Sequence, residues 1–266
     1  MKSTAKKWLI AAGVLFLSGL IAGLTGFAMM GFDFTKLNTM GKKVENMYTL
    51  TESYDSIDID VSTSDVIFEV AKDGKARVEV TESENVHHSV NVENGTLKIK
   101  INDERQWYNK IFSFGSGHDF KAVIYLPEDM ELSNVKIDCS TGDVTMKNRK
   151  INGELKIDVS TGHVTLEDIK ANALTIDSST GDVIVNKTMV SGELKIDSST
   201  GDVKFTSGDA ESVVIDTSTG DIYCTFLSGK TITAHTSTGK VSVPQDGSGG
   251  ACKLDSSTGD ITAKFE

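Results

Sequence analysis

Arginine, proline and aromatic side chains are scarce in this chain. Of 266 residues, two are Pro, three are Cys, and the only Arg are Arg77, Arg105 and Arg149. Aromatics make up 7%, and the formal net charge is −11. The missing basic patch excludes nucleic acid as a main partner, because a phosphate backbone is held by clustered Lys and Arg. Catalysis is poorly provided for as well. The five His (His87, His88, His118, His163, His235) are scattered. There is no nucleophile elbow, no phosphate loop and no zinc-ligand spacing. The chain is expected not to be an enzyme.

Charge is missing altogether from one stretch. Residues 8–30, "WLIAAGVLFLSGLIAGLTGFAMM", are 23 residues without a charge, preceded by Lys2, Lys6 and Lys7. About 20 apolar residues span a bilayer, and the basic flank stays inside. The expectation is a cytoplasmic tail at 1–7, a transmembrane helix at 8–30 and a polar stalk at 31–46. The remainder would be extracytoplasmic, with the membrane itself as one partner. A cleaved signal peptide is the competing reading, but the run exceeds the usual 7–15 residue apolar region.

What the chain has in quantity is short alternating strands. Runs such as "SIDIDVSTSDVIFEV", "HSVNVENGTLKIKIN" and "KAVIYLP" carry period-two hydrophobicity, the pattern of half-buried strands. Asp73-Gly74 and Asn94-Gly95 suit tight hairpins. Residues 47–134 therefore read as an antiparallel β region.

From residue 135 a repeat takes over. Ser-Thr-Gly begins at Ser140, Ser160, Ser179, Ser199, Ser218, Ser237 and Ser257, at spacings of 20, 19, 20, 19, 19 and 20. "VSTSDVIF" at 61–68 is a degenerate earlier copy with Ser64 where Gly would sit. A period near 20 suits one coil of a β-solenoid. The predicted fold is all-β: a parallel β-helix of about seven coils over 135–266, with an N-terminal antiparallel β cap and one N-terminal transmembrane helix. Aligning the coils gives inward columns. One holds Val135, Leu155, Leu174, Leu194, Val213, Ile232 and Cys252, and the next begins with Ile137, Ile157 and Ile176. All three Cys fall in inward columns on coils one, five and seven. At ~4.8 Å per coil they lie too far apart for disulfides, which need Cα atoms within about 7 Å. Three free buried thiols are expected.

The repeated Gly suits a turn with positive φ. The Asp columns allow two readings. Asp138, Asp158, Asp177, Asp197 and Asp216 precede the turn, and Asp143, Asp182, Asp202 and Asp221 follow it. Either each caps a turn through its side chain, or the columns bind a hard cation such as Ca²⁺ through oxygen ligands. His235 and Lys240 replace both Asp in coil six, which would break a continuous cation ladder. No other cofactor is indicated.

The most irregular stretch is 103–120, "DERQWYNKIFSFGSGHDF". Trp107, Tyr108, Phe112 and Phe114 concentrate there in a chain otherwise poor in aromatics. Such a loop either caps the core or anchors a partner, and a cell-envelope protein or glycan is the expected partner class.

The "I-D-x-S-T-G-D-V" coils, with "KAVIYLP" before them, resemble a bacterial family of β-strand-repeat proteins known as putative adhesins or LiaG-like proteins. The likeness covers about residues 47–266. It implies a parallel β-helix, no catalytic residues, and for some members a place in Gram-positive envelope-stress systems. The expected function is a membrane-anchored, non-catalytic binding or scaffold module at the cell envelope. A cation-stabilised surface module and a polysaccharide-active β-helix enzyme are the alternatives.

Overall fold

The computed structural model describes residues 3–29, 31, 42–104, 119–245 and 247–266. The chain divides into two compact units, Met1–Gly41 with Glu104–Gly117, and Lys42–Asp103 with His118–Glu266. In the first, α1 spans Ser3–Met29. Among the described residues no helix is long and apolar enough to cross a membrane. The transmembrane assignment of 8–30 and the single-pass localisation built on it are corrected on this point.

The second unit holds all the strands found among the described residues. They are β1 (Lys43–Thr49), β2 (Ser56–Val61), β3 (Asp65–Val70), β4 (Arg77–Ser83), β5 (Val86–Glu93), β6 (Thr96–Asp103), β7 (Lys121–Leu126), β8 (Glu131–Leu132) and β9 (Asn134–Thr141). The repeat half adds β10 (Val144–Thr161), β11 (Val164–Thr180), β12 (Val183–Asn186), β13 (Met189–Thr200), β14 (Val203–Thr219) and β15 (Ile222–Phe226). It ends with β16 (Lys230–Thr238), β17 (Val241–Ser242), β18 (Gly250–Thr258) and β19 (Ile261–Phe265).

The pairings correct the predicted parallel β-helix with its antiparallel cap. Eight strands close a hydrogen-bonded ring in the order β2, β6, β5, β4, β7, β3, β10, β9 and back to β2. The fold is thus a closed eight-stranded barrel with extra strands, all in one sheet. The 47–134 region does not sit as a separate cap. β2 and β3 join the repeat strands in parallel register, Ile59 beside Ile137 and Val66 beside Val144. The hairpin strands β4 and β5 then pair antiparallel with β7 and β6, closing edges that would otherwise stay open.

The extra strands stack beyond this ring, each offset by one repeat. Leu155 lies beside Leu174, Leu174 beside Leu194, and Leu194 beside Val213. The stack leaves sequence order at its far end. β14 pairs with β18, and β18 pairs with β16. The last rung in sequence therefore lies between the fifth and sixth. Cys252, Leu254, Ile261 and Ala263 are buried, whereas the sixth rung offers Ala234 and Val241, the latter 44% exposed.

Each Ser-Thr-Gly turn puts its Gly at strongly positive φ, from 131° at Gly181 to 152° at Gly239. A Cβ added to Gly181 would lie 2.0 Å from the carbonyl oxygen of Gly162 below it. Six residues after four of these glycines comes a second bend, where Asn148, Asp168, Lys187 and Ser207 stack with φ of 50–53°. Asn and Asp tolerate that region, but Lys does so only at a cost. Arg149, an inward cation among apolar neighbours, clamps strand ends by donating to the carbonyls of Pro127 (2.8 Å) and Glu69 (2.7 Å).

Gly181→Ala is expected to lower unfolding free energy by about 3 kcal/mol or more, since strained φ and backbone overlap combine. Lys187→Gly should raise it by about 0.5–1 kcal/mol. Urea titration of both variants at equal m-value checks the pair; a neutral Gly181→Ala would contradict the close-stacked turn.

Candidate functional site

The acidic turn face is built by two strands per rung meeting at Ser-Thr-Gly. The Asp column after the turn forms a continuous side-chain-to-backbone ladder. The Asp143 amide donates to Asp65 Oδ1 (3.0 Å), and the His163 amide donates to Asp143 Oδ1 (2.8 Å). The Asp202 amide donates to Asp182 (3.0 Å), and the Asp221 amide to Asp202 (2.8 Å). Beyond them the Asp260 amide donates to Asp221 (2.7 Å), and the Lys240 amide to Asp260 (2.8 Å). His163 fits the same ladder, because its Nδ1 accepts from the Asp182 amide at 3.0 Å. Each of these side chains caps the turn of the adjacent rung, where the sequence suggested only a local cap. An acceptor oriented at a backbone N–H is a strong partner when it is ionised.

The column before the turn is used differently. Asp138 pairs with Lys136 (2.5 Å), and Asp197 pairs with Lys195 (2.6 Å), two residues earlier on the same strand face. Asp158, Asp177 and Asp216 have no ion pair among the described residues. With Asp197, Ser179, Ser199 and Ser218 they line a shallow groove along the stack. The nine sequence-derived Asp thus divide into four ladder caps, two members of Lys pairs and three with free carboxylates. Among the described residues, no cluster of three or more His, Cys, Asp or Glu could hold a metal ion.

Trp107, Tyr108, Phe112 and Phe114 lie outside the described residues. Phe120, from the same stretch, is buried, and its carbonyl accepts from the Asp65 amide at 2.9 Å. Cys139, Cys224 and Cys252 are free and buried. Burial pushes the Cys139 thiol up to about 11 and that of Cys252 to about 12. Both stay protonated and unreactive at neutral pH.

Sequence reasoning missed a buried polar cluster. Ser64 Oγ lies 3.3 Å from His88 Nε2, and His88 Nδ1 lies 3.3 Å from Glu82 Oε2. Glu82 also accepts from the His88 amide (2.6 Å) and from Asn46 Nδ2. The order resembles nucleophile, base and orienting acid. Yet Ser64 is 2% exposed and His88 4%, which leaves no room for a substrate at either. The cluster is a polar lock tying β1, β4 and β5 to the first turn. Its one sequence signal was Ser64, standing where every later turn has Gly. Burial, foremost, holds the His88 imidazole below its usual value, with His87 adding to the depression and Glu82 opposing it.

Barrel, repeat ladder and acidic face together define an all-β strand-repeat protein with its side-chain chemistry gathered on the turns. The chain belongs to the Toastrack DUF4097 family, which matches residues 54–266. A Bacteroides fragilis protein described as a "putative adhesin" is similar, at 17% identity and TM-score 0.52, over 84% of this chain and 97% of that one. A "putative lipid binding protein" from Parabacteroides distasonis aligns at 16% identity and TM-score 0.44, over 85% and 96%. A "putative cell adhesion protein" from Clostridium sporogenes aligns at 15% and 0.37, over 85% and 100%. At such identity the first likeness speaks for the fold alone. No curated protein matches the chain. The narrower LiaG-like assignment gains no support from these comparisons.

Two measurements follow from the buried groups. His88 is neutral in the folded protein, while in the unfolded chain it takes a proton near pH 6.5. Its contribution is fully present above that pH and lost as pH falls toward the lowered folded value. Melting curves between neutral and mildly acidic pH should show this loss, and His88→Gln should flatten it. Separately, the Thr217 hydroxyl is buried without a hydrogen-bond partner. Thr217→Val is expected to match or exceed the parent's stability, since an unmet buried hydroxyl costs about 1–3 kcal/mol; a clear loss would reveal a partner for that hydroxyl.

Proposed function

We propose that the chain is a non-catalytic surface binding or scaffold module, of the adhesion or envelope-stress kind, and that it binds through the acidic turn face. One observation supports this above others. Asp158, Asp177 and Asp216 have no ion pair among the described residues and lie beside a groove of serine hydroxyls, although Lys156 stands two residues before Asp158 as Lys136 and Lys195 do before Asp138 and Asp197. Like charges ~4.8 Å apart repel, so an arrangement left this way is ready for a cationic or hydroxyl-rich partner such as a basic peptide or an envelope glycan. Trp107, Tyr108, Phe112 and Phe114 are proposed as a second contact, on sequence grounds alone.

The test is retention of the full chain on immobilised basic peptides and on wall glycans, at low and high salt. Binding that weakens with salt and is lost in the triple variant Asp158→Asn, Asp177→Asn, Asp216→Asn is the expected result. Equal retention by the variant would overturn the assignment of this face. Trp107→Ala with Tyr108→Ala should reduce retention without lowering the melting temperature.

The like-charged column also favours a second reading, Ca²⁺ held between carboxylates of adjacent rungs at Asp138, Asp143, Asp158, Asp177, Asp182, Asp197, Asp202, Asp216 and Asp221. Melting in millimolar CaCl₂ and in chelator separates the two. A site saturated at a hundred times its dissociation constant adds ~2.7 kcal/mol, a rise of several degrees. An unchanged melting temperature removes Ca²⁺ from the account.

A further inference from the structure

The stack has one open end. The barrel strands close the stack at the β2–β3 end. At the other end β16 pairs only with β18, and β17 only with β19. Among the described residues nothing pairs with their outer edges. β16 is nine residues long, "KTITAHTST". It carries few of the devices that usually protect an edge. It has no Pro and no bulge, and its one ammonium, Lys230, is turned inward, buried against Asp209 and Ser228. Its inward column positions are only partly covered. Ile232 and Ala234 are half-buried, whereas their register partners Cys252 and Leu254 are buried.

The charge of this end is opposite to that of the body. Residues 222–245 contain no Asp or Glu, the longest acid-free run after Asp33 in a chain of net charge −11. His235 and Lys240 stand where the neighbouring rung has Asp255 and Asp260. The amide ladder stops at Lys240, whose exposed ammonium has no ion-pair partner among the described residues.

We propose that the outer edge of β16, with Lys240 beside it, is a strand-addition site for an acidic extended segment of a partner polypeptide. Main-chain hydrogen bonds to an unpaired edge supply affinity, and alternate side chains supply selectivity. A parallel segment in repeat register would set one carboxylate beside His235 and a second, five residues on, beside Lys240. Ile232 and Ala234 would then receive its apolar residues. A second copy would present the same His235 and Lys240, and no carboxylate from residues 222–245, to this edge, so the charges that welcome an acidic strand oppose self-association. This site is separate from the acidic turn face, and failure of either proposal leaves the other standing.

The probe is a labelled peptide copying residues 175–185, "TIDSSTGDVIV", whose two Asp have that spacing. It is titrated onto the full chain by fluorescence anisotropy, with hydrogen exchange read on β16. Binding is expected, with new protection on outer-edge amides between Thr231 and Thr238. Replacing both Asp of the peptide by Lys should weaken it about fivefold or more, as a partly exposed charge pair allows. Lys240→Glu, at an exposed position that leaves melting unchanged, should reverse the preference between the two peptides. Absence of binding, protection elsewhere on the chain, or indifference to the charge swap would overturn the proposal. So would concentration-dependent dimerisation that protects the same edge without peptide.

Discussion

One missing atom governs the repeat half of this protein. At each Ser-Thr-Gly turn the backbone of one rung passes so close to the carbonyl of the next that no Cβ fits, and the φ required there belongs to glycine. Register follows from that contact. Once the turn glycines stack, Leu must face Leu and Ile must face Ile along the inner columns. The Asp beside each glycine is then brought within hydrogen-bond reach of the next rung's amide. The ladder of carboxylates and N–H groups is thus a consequence of turn stacking and also reinforces it.

The period, the inside-outside alternation and the turn glycines were all legible in the sequence, because each is a local property repeated many times; the thiols are free as expected, but the coil spacing used to argue it does not hold, since the rung of Cys252 lies directly on the rung of Cys224. Two features were not. Closure of the eight-stranded ring depends on the pairing of β4 with β7, which are distant in sequence and carry no repeat signature, while the β3–β10 pairing was foreshadowed only by the degenerate copy at 61–68. The exchange of the last two rungs was also hidden. The columns contained the right residues, but a column has no arrow. The length of the 8–30 run suggested a membrane span that the described helix does not supply.

The candidate site was half legible. Nine Asp were picked out by their spacing, but spacing alone could not separate the four that cap neighbouring turns from the three that remain free. That division depends on side-chain direction and on whether a Lys two residues earlier reaches back, as Lys195 does to Asp197. The Ser64–His88–Glu82 lock was invisible for a different reason. Its members come from three separate strands or turns, and none belongs to the repeat. An internal polar cluster of this kind adds specificity to a barrel whose interior is mostly aliphatic, because its groups are satisfied in only one arrangement.

The inserted position of β18 and β19 has a consequence for how the protein is made. On the ribosome the rung that ends outermost emerges before the rung that ends beneath it. Until residues 250–265 leave the exit tunnel, Ile215 and Val213 have no permanent neighbour on that side, and β16 has nothing to rest on. The stack cannot be completed by simple addition at its growing end. A premature stop in this stretch would therefore remove an interior layer rather than trim a tip, leaving the outer rung without its support.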